Sequence, residues 1–161
     1  MNSFIIFSSK YIIYIVGLIA VFVTLRSERA VRNRLIMLAV LSLLVAFGIA
    51  SLGGLLYFDP RPFTVTHTTP LIPHLPDDGF PSDHTLYAMA AAATVFCYWR
   101  KTGILLGVLA VLTGTARVLA GVHHPVDIIG GAMMAITAVS IAWFLLKGLA
   151  RVKPFARMLS I

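Results

Sequence analysis

Long apolar stretches alternate with short polar clusters along this chain, and the spacing of that alternation is its first structural signal. Five apolar runs stand out: Phe4–Leu25, Leu35–Phe58, Thr85–Trp99, Gly103–Ala116 and Ile128–Leu146. The first is interrupted by Ser8, Ser9 and Lys10 and ends at Arg26; the second has 24 residues without a charge. A helix rises about 1.5 Å per residue and needs about 20 apolar residues to cross a hydrocarbon core of roughly 30 Å. The second run crosses easily. The third has 15 residues, which reach only about 22 Å. It begins beside His84, and the fourth passes through Arg117 before continuing Val118–Val122. Both therefore cross only if polar groups lie in the outer zone of the membrane; tilted or interfacial helices are the alternative. An intramembrane arginine costs roughly 2.5–3.5 kcal/mol on insertion scales and rarely faces lipid, which favours a functional site.

The pattern predicts an all-α fold, a polytopic transmembrane bundle of about five spanning helices, in a single domain covering residues 1–161. A cleaved signal peptide is the alternative for the first run. That run lacks a basic start and leads into a dense basic cluster, which reads as stop-transfer.

Composition agrees. Of 161 residues, 59% are hydrophobic and 12% charged, against about 25% charged in soluble domains; mean hydropathy is +0.93. An ordinary soluble fold is excluded. The net charge of +7 would suggest nucleic acid in a soluble protein, but its distribution says otherwise. Five spans put the termini on opposite sides. One side then holds Arg26, Arg29, Arg32, Arg34, Arg100, Lys101, Lys147, Arg151, Lys153 and Arg157, and the other only Lys10, Arg61 and Arg117. The positive-inside rule makes the first side cytoplasmic and the N-terminus external. Asp59, Asp77, Asp78, Asp83 and Asp127 fall outside, with His67, His74, His84, His123 and His124; only Glu28 is inside. The basic balance is thus a topological signal, with the bilayer as partner and no nucleic acid. The basic tail Lys147–Ile161 reads as an inner-face anchor. Cys97, the only cysteine, lies in an apolar run, which excludes disulfides and cysteine metal sites.

The longest connection, Asp59–Asp83, has 25 residues and six of the eight prolines, with neither strand alternation nor helical period. Loops of that length tend to be lids or binding loops. Three segments converge at this face: Asp59-Pro-Arg-Pro-Phe63, Pro81-Ser-Asp-His-Thr85, and Arg117 through His123 to Asp127. Ser82 or Asp83 suits an N-cap, which puts backbone N–H groups and a positive dipole end beside His84, a ready anion site. Pro125 suits the first turn of the last helix, placing Asp127 in that turn and His123 just before it.

Two guanidiniums, a helix N-terminus, two histidines and a carboxylate suit phosphoryl chemistry. Arginine binds phosphate oxygens bidentately and keeps its charge. One histidine can attack phosphorus and the other protonate the leaving group, while a carboxylate on the nucleophile's far nitrogen fixes its tautomer. Taken singly each residue is a weak signal; a lone external histidine is more often a solvated loop residue.

The joint pattern Arg61-Pro62, Pro81-Ser82-x-His84 and Arg117-x5-His123-x3-Asp127 resembles the three-part signature of the type 2 phosphatidic acid phosphatase superfamily. The stretches Tyr57–Phe63, Thr69–His74 and Phe80–Thr85 are closer still to its bacitracin-resistance branch of undecaprenyl diphosphate phosphatases. The resemblance implies a membrane phosphatase that needs no metal or other cofactor. It implies His123 as the nucleophile oriented by Asp127, His84 as proton donor, and Arg61, Arg117 and Ser82 as phosphate ligands, with Asp83 contributing its backbone N–H. The implied substrate is undecaprenyl diphosphate at the outer face. Three positions depart from the superfamily pattern: Gly54 replaces a common lysine, for which the external Lys10 is a candidate substitute; Ala116 replaces a serine; and Asp83 replaces a glycine, as in the undecaprenyl branch. Other lipid phosphates (phosphatidic acid, phosphatidylglycerol phosphate, lipid A), a metal-dependent hydrolase and a small channel or transporter are the alternatives.

Overall fold

The computed structural model describes residues 1–149. Five long helices form: α1 (Asn2–Arg26), α2 (Arg29–Leu56), α4 (Asp83–Phe96), α5 (Arg100–Leu119) and α6 (Pro125–Leu149). A short α3 (Pro62–Thr66) lies in the long connection, and among the described residues there is no strand, only an isolated bridge between Pro60 and Asp78.

α4 is the hub. It packs against α1, α2, α5 and α6. One cluster joins Ile12 and Val16 of α1 to Ala88, Ala92 and Val95 of α4 and Leu106 and Ala110 of α5. Another joins Ala46 of α2, Leu86 and Ala90 of α4, and Ala135, Ala138 and Val139 of α6. The alanines on α4 let four neighbours approach it closely, as small residues do between membrane helices. Outward, Leu18, Leu44, Leu55, Leu56 and Phe144 are 66–87% exposed. Apolar exposure on this scale is stable only against lipid, and the chain is a multi-pass membrane protein.

α1, α2, α5 and α6 are each long and apolar enough to cross a membrane. α4 is not: its 14 residues reach only about 21 Å. The apolar run continues to Trp99, but Cys97, Tyr98 and Trp99 turn back onto Thr94 and Val95 through their backbone N–H groups, so the helix stops at Phe96. Trp99 Nε1 then donates to Ser27 Oγ at 3.1 Å, bringing the α4–α5 turn onto the α1–α2 turn at the basic end. The expected fourth run is the middle of a longer α5 that ends at Leu119. Arg151, Lys153 and Arg157 of the basic tail lie outside the described residues.

The connection 59–83 corrects the expectation of an aperiodic segment, because it contains α3. Pro62 opens that helix, and the hydroxyls of Thr64 and Thr66 donate back to the carbonyls of Arg61 and Pro62 at 2.7 and 2.8 Å. These bonds are too local to give an apolar period. The ends of the connection are pinned together: the Gly79 N–H donates to Asp59 O at 2.8 Å, and Asp78 Oδ1 accepts from the N–H groups of Asp59 and Phe80. Its middle is pinned by buried Ile72, packed with Ala120 and Val122, and by a bond from Leu71 N–H to Ala120 O at 2.9 Å.

Candidate active site

Three junctions set the site. α5 ends at Leu119, and Gly121, with φ +77°, makes the left-handed turn that swings Val122 and His123 back under the bundle's rim. α6 starts at Pro125, so Asp127 lies in its first turn with His123 just ahead. α4 starts at Asp83, with the Ser82 N–H donating to Asp127 O at 3.1 Å. This last contact needs Gly131: a Cβ there would meet Ser82 O at 2.9 Å.

His123 and Asp127 are almost wholly buried. Their contact is 3.0 Å, Nδ1 to Oδ2, and the same oxygen accepts the His124 N–H at 2.9 Å. With Nδ1–H donated to the carboxylate, Nε2 is left as the acceptor. It faces Arg61 Nη1 at 2.9 Å and Arg117 Nη2 at 3.4 Å. Burial lowers the His123 pKa; Asp127 pulls it back up, and the two guanidiniums push it down, with a net fall below 6.5. The imidazole is therefore neutral at neutral pH, and Arg61 Nη1 lies beside both of its nitrogens, 3.2 Å from Nδ1 and 2.9 Å from Nε2. Arg117 Nε is buried without a hydrogen-bond partner, a donor whose desolvation an anion would relieve.

These groups line a cavity of about 400 Å³ with Phe47, Ala50, Ser51, His74, Asp77, Asp78, Phe80, Pro81, Asp83, His84 and Tyr87. The expected residues Arg61, Arg117, His84, His123 and Asp83 thus meet at one place, with Asp127 directly behind His123. Ser82 does not line the cavity. It is fully buried and occupies the N-cap position, but its hydroxyl accepts from Thr85 Oγ1 at 3.3 Å and caps nothing. No side chain therefore competes for the first N–H groups of α4. Lys10 is not among the lining residues. The Gly54 position faces Phe80 O and Asp78 Oδ2 at 3.4 and 3.5 Å, where the superfamily's lysine would begin.

Four loop residues join the site without having been assigned from sequence. Asp77 Oδ1 accepts from Arg61 Nε at 2.9 Å, and His74 Nε2 lies 2.9 Å from Arg117 Nη2, so each arginine is held from the connection. Asp59 Oδ2 pairs with His124 Nδ1 at 2.9 Å. Asp59, His124 and Asp127 offer ligand atoms within 4.8 Å of one another and could hold a metal ion. The burial of Asp59 and the neighbouring Asp127 carboxylate raise its pKa, with His124 opposing. The prolines stiffen this segment, but nothing local tells which arginine each side chain meets.

The sequence profile of the PAP2 superfamily matches residues 35–151. Over 148 residues the chain is 33% identical to the bacitracin transport permease protein BcrC of Bacillus licheniformis, covering 89% of this chain and 71% of that one. Over 136 residues it is 35% identical to the undecaprenyl-diphosphatase BcrC of Bacillus subtilis, covering 84% and 70%. The crystal structure of Aquifex aeolicus LpxE has the same fold, with a TM-score of 0.68 at 24% identity over 89% of this chain and 85% of that one. The profile takes in α2 through α6, including every junction that builds the cavity, and the chain belongs to the PAP2 superfamily.

Proposed function

We propose that the protein is a lipid diphosphate phosphatase that removes the terminal phosphate of undecaprenyl diphosphate and leaves undecaprenyl phosphate. The observation that carries this reading is the orientation of His123: Nδ1 on Asp127, Nε2 against two guanidiniums. Nε2 attacks the terminal phosphorus, the bond from phosphorus to the bridging oxygen breaks, and His84 delivers a proton to that oxygen. Water then attacks the phosphohistidine, His84 takes its proton, and the N–P bond breaks to release orthophosphate. Arg61, Arg117 and the N–H groups at the start of α4 hold the phosphoryl oxygens, which is where charge sits in a phosphoryl-transfer transition state. Asp127 holds the tautomer and balances the imidazolium-like charge on His123. Ser82 fixes the start of α4, and no step requires a metal.

The bundle also suits a lipid tail. An apolar groove of about 320 Å³ runs between α1, α2 and α4, and Tyr87 lines both the groove and the polar cavity. The short α4 leaves its N-terminal end, and with it His84, recessed by up to about 9 Å relative to a full span, where a headgroup arrives without leaving the bilayer. Residues 1–161 act as one domain in this reading, with the N-terminus and the 59–83 connection external and the site on the outer face of the cell membrane. Those assignments rest on the positive-inside distribution.

Phosphate release from undecaprenyl diphosphate by the wild type and by His123→Ala, each with and without EDTA, tests the reading. The expected result is release by the wild type that survives EDTA and vanishes in the variant. The permease name of one relative gives a second reading, transport; solute flux without phosphate release would establish that instead. A panel with phosphatidic acid and phosphatidylglycerol phosphate tests the choice of lipid.

A further inference from the structure

One polar side chain in the cavity has no part in the chemistry above. His74 sits on the 59–83 connection, but its position is set by the bundle: Pro73 and Pro76 bracket it, Ile72 is buried against Ala120 and Val122, and Leu71 is bonded to Ala120. Those anchors belong to the segment that carries His123. The two imidazoles stand 6.2 Å apart, centroid to centroid, nearly perpendicular. His74 Nε2 lies 2.9 Å from Arg117 Nη2, its Nδ1 is 3.3 Å from Leu75 O, and Asp77 Oδ1 is 3.8 Å from that nitrogen.

A lipid diphosphate brings one more ionised phosphate into the cavity than a monoester does, so the lining must supply donors for two. Arg61 and Arg117 face His123 Nε2 and serve the transferring phosphoryl group. His84 serves the bridging oxygen. Asp77, Asp78 and Asp83 repel anions, and Ser51 and Tyr87 are neutral hydroxyls. His74 alone remains able to present a positive charge. We propose that His74 reads the second phosphate: when a diphosphate binds, Arg117 turns its Nη2 from His74 Nε2 to a phosphoryl oxygen, and the freed Nε2 takes up a proton from solvent and donates it in a hydrogen bond to the phosphate that stays on the lipid.

The charges around His74 fit this exchange. Burial and Arg61, with a smaller push from Arg117, hold its pKa below 6.5 in the free site, while Leu75 O and, more weakly, Asp77 pull the other way. His123 and His84 complete the facing groups. A neutral His74 can accept from Arg117, and an arriving anion reverses the field that keeps it neutral. His74 is then a specificity residue that favours diphosphates over monoesters.

This inference rests on the proposed diphosphatase reading, and its test separates the two. Full-length wild type, His74→Ala and His74→Gln are assayed for phosphate release from farnesyl diphosphate and farnesyl monophosphate, which share a tail. In His74→Ala, kcat/KM on the diphosphate is expected to fall about 10- to 100-fold further than on the monophosphate, the worth of one hydrogen bond to a charged group; the loss common to both esters is that of the support for Arg117. His74→Gln keeps an N–H donor and should recover part of the loss. Inhibition gives an independent readout: His74→Ala should raise the Ki of methylenediphosphonate about tenfold more than that of orthophosphate. Equal losses on both esters, or equal shifts in both Ki values, would overturn the inference, because they are what a residue that merely holds Arg117 would give. A wild type inactive on the diphosphate would overturn the parent reading, and this inference with it.

Discussion

The two ends of the bundle carry the same kind of side chain in opposite circumstances. At the end where α1 meets α2 and α4 meets α5, Arg26, Arg29, Arg100 and Lys101 are exposed. Arg26 lies over the Phe22 ring at 5.3 Å and Lys147 over Trp143 at 4.8 Å. At the other end Arg61 and Arg117 are 6% and 4% exposed and bonded to imidazoles, a carboxylate and a carbonyl. A hydrated cation on an aromatic ring costs little and gains little. A buried guanidinium is tolerated only with partners to match. Location alone thus separates hydrated arginines from arginines that need matched partners. Both kinds count equally in the net charge of +7, which is why that figure by itself pointed the wrong way.

Substitutions can break this contrast, and their effects should fall off from one end to the other. The largest belongs to His123→Ala, which removes the proposed nucleophile; turnover should drop by roughly four orders of magnitude or more, read as phosphate release. Arg117→Lys keeps the charge but loses the planar fork, and should cost about 10² to 10³ in kcat. The pH profile sharpens the same point. His123 attacks only when neutral, and its pKa lies below 6.5. As pH falls, loss of activity through protonation of His123 should set in only below 6.5. An acid limb above 6.5 would contradict the burial and cationic field assigned to this histidine. The smallest effect is expected at the basic end: Arg100→Gln should leave turnover within about twofold, and its influence should appear in topology mapping, since charges near helix ends bias orientation.

How much of this was legible in the sequence depends on range. The His123–Asp127 pair follows from a four-residue spacing at a helix start marked by Pro125, so its geometry is local and readable. Arg61 and Arg117 were readable because an arginine beside an apolar run needs a reason to be there. The five-residue α3 was not, since it is held by two threonine hydroxyls and a proline. The stop at Phe96 was hidden inside a run that stays apolar to Trp99. Ser82 has a cap's identity and position, but packing turns its hydroxyl toward Thr85. Asp77 and His74 reach the arginines because the connection folds back through the Pro60–Asp78 bridge and the Ile72 anchor. Such long-range closure leaves no periodic trace.

In the proposed mechanism His123 carries the phosphoryl group between two in-place arginines. The most direct measurement is a rapid quench into base, which preserves phosphohistidine, after mixing with a diphosphate labelled with ³²P at its terminal phosphate. A transient label is expected on the peptide containing His123, formed with EDTA present, absent from His123→Ala and lost as orthophosphate appears. Full turnover with no labelled enzyme, or label on another residue, would contradict it.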